Sequence, residues 1–205
     1  MHEVNYEREL IINGRELKYK GIFKADEIFS KMNRLIEERE YEKREKKSEE
    51  VVLESGRKIY VELRPFKEKS SYSVLMIKIR VMLDNVTSTV EEFKGEKRRF
   101  DNGDVTIIFD AWSLTDYDER WEMKPFVFFM KGFINKFIYT FPIEAGNKKE
   151  VVADTAYIYG QMKRFLNSYK YEVGKGPLEA DVAKKMEEEV RKEMESFKEE
   201  MEQVS

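Results

Sequence analysis

The stretch Tyr72–Leu83 reads YSVLMIKIRVML, and it decides the fold class. Leu75, Ile77, Ile79, Val81 and Leu83 form one wholly apolar face, while Lys78 and Arg80 face the other way. Successive side chains of a strand point to opposite sides, so this is a long β-strand with one face buried. The same alternation recurs downstream, where Val105, Ile107, Phe109 and Ala111 mark a strand over Val105–Trp112. Asp101-Asn102-Gly103-Asp104 precedes it and is predicted to turn the chain into it, because Asn-Gly accepts positive φ. Val86–Phe93 and Glu96–Phe100 read as shorter, outer strands.

Upstream, Val51–Glu54 and Arg57–Arg64 flank Ser55-Gly56, with Ile59, Val61 and Leu63 alternating. Residues 37–50 are almost entirely charged and read as a solvated helical extension or a mobile connector. Residues 25–39 carry Ile28, Phe29, Met32, Leu35 and Ile36 at helical spacing. Before them, Leu10-Ile11-Ile12 and Leu17, Tyr19, Gly21 and Phe23 flank Asn13-Gly14, which predicts a hairpin. After the strands come an aromatic helix, Phe126–Tyr139, and a long helix, Glu150–Tyr171, with Val152, Ala156, Tyr159, Met162, Leu166 and Tyr169 on one side. The expected class is α+β: a curved antiparallel sheet with helices on one face.

The break Gly174-Lys175-Gly176-Pro177 separates residues 1–173 from a final helix over 178–205. Its apolar stripe is thin: Leu178, Val182, Met186, Val190, Met194, Phe197, Met201 and Val204. The steps average about 3.7 residues, closer to the ~3.67 of an eleven-residue repeat than to the 3.5 of a heptad. A stripe this narrow does not hold a lone helix in water, so it is expected to dock on its own domain, on a second copy or on another protein. The helix is also acidic. Residues 174–205 hold six basic and ten acidic side chains, whereas residues 1–173 carry net charge +1.

Composition narrows the chemistry. The chain has 205 residues, enough for one substantial core, and charged residues make up 39% of it. Lys/Glu enrichment of this kind fits a thermophile's soluble protein. Without a cysteine there is no disulfide, thiolate zinc site or Cys nucleophile, and the single histidine, His2, leaves no His-based triad. The sequence therefore predicts no enzyme, no metal and no cofactor. No run of eighteen apolar residues is present, and a cytoplasmic location with no membrane span is expected.

Three groups remain as candidate sites. The basic residues Lys94, Lys97, Arg98 and Arg99, with Arg57 and Lys58, could contact RNA or an acidic partner, although Glu62 and Glu96 weaken the field. Phe109, Trp112 and Tyr159 are candidates to line an apolar pocket between sheet and long helix. Pro125–Pro142, PFVFFMKGFINKFIYTFP, is read as a buried helix, as a surface for an apolar ligand or partner, or as a segment that inserts at a membrane surface, for which Lys131 and Lys136 are too few to make a polybasic anchor. The Asp101/Asp104 and Asp116/Asp118/Glu119 groups read as turns rather than as acid/base pairs.

The element order resembles the helix-grip fold of the START-like and polyketide-cyclase-like superfamily over roughly residues 6–171. That resemblance implies a sheet curled round a long helix, often with an apolar ligand between them. In length, Lys/Glu-rich style and want of catalytic residues, the chain is also similar to archaeal ribosome dimerisation factors. That likeness implies a homodimer that binds the small ribosomal subunit, through ribosomal protein or RNA, and regulates translation. No residue role is carried over from either.

Overall fold

The computed structural model describes residues 7–54, 56–70, 73–93, 96–115 and 142–172, with residue 195. The elements run β1 (Glu7–Phe23), α1 (Ala25–Glu38), β2 (Glu45–Leu53), β3 (Gly56–Leu63), β4 (Phe66–Glu68), β5 (Ser73–Phe93), β6 (Glu96–Thr115) and α2 (Pro142–Glu172). The six strands form one antiparallel sheet in the order β1-β6-β5-β3-β2, with β4 pairing β5 alongside β3. The expected aromatic helix at 126–139, the break at 174–177 and the final helix lie outside the described residues, Glu195 excepted.

The α+β class and the antiparallel sheet are as the alternation predicts. Leu75, Ile77, Ile79, Val81 and Leu83 are all fully buried, beside Val105, Ile107, Phe109 and Ala111 of β6. Ile28, Met32, Leu35 and Ile36 of α1, and Val151, Ile158, Met162 and Leu166 of α2, join them in one core. Burial of such a side chain stabilises the fold by about 1.5–3 kcal/mol each. α2 lies against β1, β5 and β6 and touches α1. Phe109–Tyr159 and Phe100–Tyr169 meet edge to face at 6.0 and 6.3 Å between sheet and helix. The Tyr169 hydroxyl donates to Glu27, which ties α2 to the first turn of α1.

Both Asn-Gly pairs depart from expectation, and for one reason. Asn13-Gly14 does not close a hairpin. Leu10 pairs with Trp112, Ile12 with Ala111, Arg15 with Phe109 and Leu17 with Ile107, so one strand runs past the pair with its register shifted. Gly14 takes the positive φ of 66° that a turn would need, and its N–H donates to Asp110 Oδ1 at 2.6 Å. The result is a bulge, because β6 is long enough to pair with both halves.

Asp101–Asp104 is likewise not a turn but lies within β6. Opposite it, β5 bulges at Asn85 (φ 53°): Asp84 pairs with Asp104, and Thr87 with Asn102. Gly103 permits the close approach, since a Cβ there would stand 2.7 Å from the Asp84 carbonyl oxygen. The predicted outer strands are therefore continuations of β5 and β6, which reach 21 and 20 residues. Asp101 serves a different purpose from the one expected. Its Oδ2 accepts the Ala25 N–H at 3.1 Å, at the start of α1, and its Oδ1 accepts from Arg57 at 3.0 Å.

The charged stretch 37–50 is neither a helical extension nor a connector throughout. α1 stops at Glu38, Glu40 takes φ 60°, and β2 begins at Glu45. Backbone pairing with β3, not a buried face, makes this segment a strand.

Candidate functional site

β2 ends the sheet beyond β3 and pairs with no further strand among the described residues. All nine of its side chains are exposed. Val51, Val52 and Leu53 are 52%, 75% and 45% accessible, so three neighbouring apolar residues stand in solvent. The β2–β3 hairpin closes at Gly56, whose φ of 129° favours glycine and where a Cβ would stand 3.0 Å from the Asn85–Val86 backbone of β5. Beyond that contact β5 and β6 continue as a two-stranded ribbon, Thr87–Phe93 with Glu96–Asn102, on which Val90 is also exposed. The hairpin and ribbon thus carry the largest exposed apolar side chains among the described residues, Leu10 apart.

The predicted basic residues lie on these two arms, interleaved with acids. Arg57 bridges Asp101 (3.0 Å) and Glu50 (3.4 Å), and Lys58 lies 3.5 Å from Asp84. Arg98 pairs with Glu96 at 2.8 Å, and Arg99 Nε donates to Ser88 Oγ at 2.5 Å. Lys97 is exposed opposite Glu92. Lys94 lies outside the described residues. The arms therefore present mixed charge.

Of the expected pocket residues, Phe109 and Tyr159 come together in the seam between β6 and α2. Trp112 does not join them. It is one step out of phase with Ala111, opposite Leu10 and Met76, and so lies on the other face of the sheet. The docking stripe Leu178, Val182, Met186, Val190, Met194, Phe197 and Met201 lies outside the described residues.

Two ionic groups went unforeseen. Where α1, β4 and α2 meet, Lys67 bonds Glu150 at 2.9 Å and lies 4.0 Å from Asp154, while Arg39 stacks 3.8 Å over the Tyr157 ring. Burial raises the Asp154 pKa against the pull of Lys67 and Arg39. Burial works the same way on Glu150, but the hydrogen bonds from Lys67 and Lys69 outweigh it and hold that carboxyl below the usual range. Tyr41 is pushed up by burial and by the neighbouring Asp154 charge. On the opposite face of the sheet, Arg80 meets Asp110 at 2.8 Å, and Glu62 accepts from Arg64 at 2.7 Å. These groups clamp elements together. Their members are scattered through the sequence, so no local motif announces them.

No family model matches this sequence, and neither the curated proteins nor the solved structures include a match. Among the described residues, no helix is long and apolar enough to cross a membrane.

Proposed function

We propose that this chain is a non-enzymatic, homodimeric interaction factor that binds a large macromolecular assembly, with the small ribosomal subunit as the partner to test first. One observation carries the reading: a wholly exposed edge strand, with Val51, Val52 and Leu53 in solvent, beside a ribbon of mixed charge. Exposed apolar residues rimmed by charges are the composition of a docking surface. An assembly of basic proteins and RNA offers both signs of charge to such arms, and binding of this kind regulates translation by occupying the subunit. The test is sedimentation of tagged full-length protein with a cell lysate. Co-migration with small subunits, weakened by salt, supports the proposal. Its absence removes the ribosomal partner.

A second reading keeps the helix-grip likeness. The packing of α2 against β1, β5 and β6, with Phe109 and Tyr159 in the seam, supports a site there for an apolar ligand. Displacement of a fluorescent fatty acid from the wild type, lost in Tyr159→Ala, would favour it. No binding would leave the interaction reading alone.

A further inference from the structure

We infer that β2 is a self-association edge: two copies of this chain pair antiparallel through Glu45–Val51, with the two-fold axis at Ser48. This deepens the interaction-factor reading by naming the partner of one arm as a second copy.

Around Ser48 the strand reads Lys46-Lys47-Ser48-Glu49-Glu50, two cations followed by two anions. In an antiparallel pair centred on Ser48, Lys47 stands opposite Glu49 of the second copy and Lys46 opposite Glu50. The two-fold repeats both, so each interface holds four opposite-charge pairs. Directly opposed side chains lie about 4.5–5.5 Å apart at their Cβ atoms, within reach of such pairs. A parallel, in-register pair would set Lys on Lys and Glu on Glu. The charges therefore select one orientation and one register, where the backbone alone would accept many.

Geometry agrees. Among the described residues β2 is the last strand of its edge and every side chain on it is exposed, so its outer N–H and C=O groups form a template for another strand. Lys47 and Glu49 pair with Glu62 and Tyr60 of β3, which puts both on one face. They also touch each other at 2.8 Å, an exposed contact of the kind that contributes little and that a second copy can share. In this register Val52 and Leu53 fall opposite Arg44 and Lys43, which lie outside β2, so the paired stretch ends at Val51. The only register slip within β2 lies at Lys46, so the Lys47–Glu49 pairs carry the larger part of the selection.

The competing explanation is that the charges guard the edge against aggregation. Guarding needs only like charges or lysines, which repel a second copy in any orientation. A block of each sign mirrored about one residue attracts in the antiparallel arrangement, which is the opposite of a guard.

The test uses full-length protein and sedimentation equilibrium at low salt, with two charge-reversed edges. One carries Lys46→Glu and Lys47→Glu, the other Glu49→Lys and Glu50→Lys. The wild type is expected at twice the chain mass. Each reversed protein should self-associate at least about tenfold more weakly, since four attractive pairs become repulsive. An equimolar mixture of the two should recover a dimer containing one of each. Matching circular dichroism melts show that the reversed proteins are folded; if either is not, the single changes Lys47→Glu and Glu49→Lys replace the pairs with the same expectations. A monomeric wild type, a dimer indifferent to the reversals, or a mixture that stays monomeric would each overturn the inference. A dimer indifferent to them, or failure of the mixture alone, leaves the interaction-factor reading intact, whereas a wild type that dimerises as inferred but fails to sediment with small subunits defeats only the ribosomal reading.

Discussion

Among the described residues β1 and β2 both end the sheet, β1 beside β6 and β2 beside β3. β1 sends Ile12, Leu17, Tyr19 and Phe23 into the core, and α2 packs against it. Its two register shifts, one at Gly14 tied to Asp110, break the flat row of backbone groups that another strand would need, whereas β2 slips once, near its start at Lys46. β2 buries none of its side chains, and its charges are ordered rather than merely abundant. An edge can thus be closed by being woven into the core, or left as a surface for something else. The difference lies in side-chain periodicity on one strand and charge order on the other.

The largest expected effect breaks the comparison at its buried end. Phe23→Ala removes a fully buried ring from the end of β1 and should destabilise the protein by about 3–5 kcal/mol in urea unfolding. A cost below about 1 kcal/mol would mean that β1 is not part of the core. Next comes the bend that carries the ribbon. Gly103→Ala forces a Cβ to 2.7 Å from the Asp84 oxygen and should cost about 1–3 kcal/mol. An unchanged melting temperature would rule out that close approach.

A pH measurement sharpens the contrast between a clamped carboxylate and one on the open edge. Glu150 is held below the ordinary range, since the bonds from Lys67 and Lys69 outweigh the opposing effect of burial. A depressed folded pKa stabilises the protein above the unfolded value, and that contribution disappears as pH falls through the folded value. Glu150→Gln should therefore cost about 1–3 kcal/mol near neutral pH, with the gap from wild type closing in acid. Glu49→Gln on β2, where the carboxylate meets exposed Lys47, should leave the stability of the monomer nearly unchanged. The smallest effect is Val52→Thr, expected within about 0.5 kcal/mol because its side chain is 75% accessible. If Val52→Thr destabilised the monomer strongly, β2 would belong to the core after all.

What the sequence made legible follows the same division. β5 was readable because five alternate residues from Leu75 to Leu83 are apolar, and α1 because Ile28, Met32, Leu35 and Ile36 recur at helical spacing. Asn13-Gly14 misled because the positive φ that makes a hairpin turn also makes a bulge, and Asn102-Gly103 because its glycine serves a close approach to the Asp84 carbonyl rather than a turn. Only the length of the partner strand decides between a turn and a continued strand, and that is not a local property. β2 was missed over Glu45–Glu50 because a strand with no buried face has no hydrophobic period. Arg57 and Asp101 could not be paired in advance, being joined through β5, whose register depends on the bulge at Asn85. The signal that would have found the edge was already present: Val51 and Val52 directly following two mirrored charge blocks.

The self-pairing of β2 is tested most directly by a single cysteine, since the chain has none of its own. In the inferred register only residue 48 faces its own copy. Full-length Ser48→Cys should therefore form a disulfide-linked dimer on mild oxidation, because directly opposed Cβ atoms at about 4.5–5.5 Å need only a small adjustment to bridge. Glu45→Cys, facing residue 51 of the other copy, should remain largely unlinked. Equal crosslinking at both positions, or none at residue 48, would contradict the account.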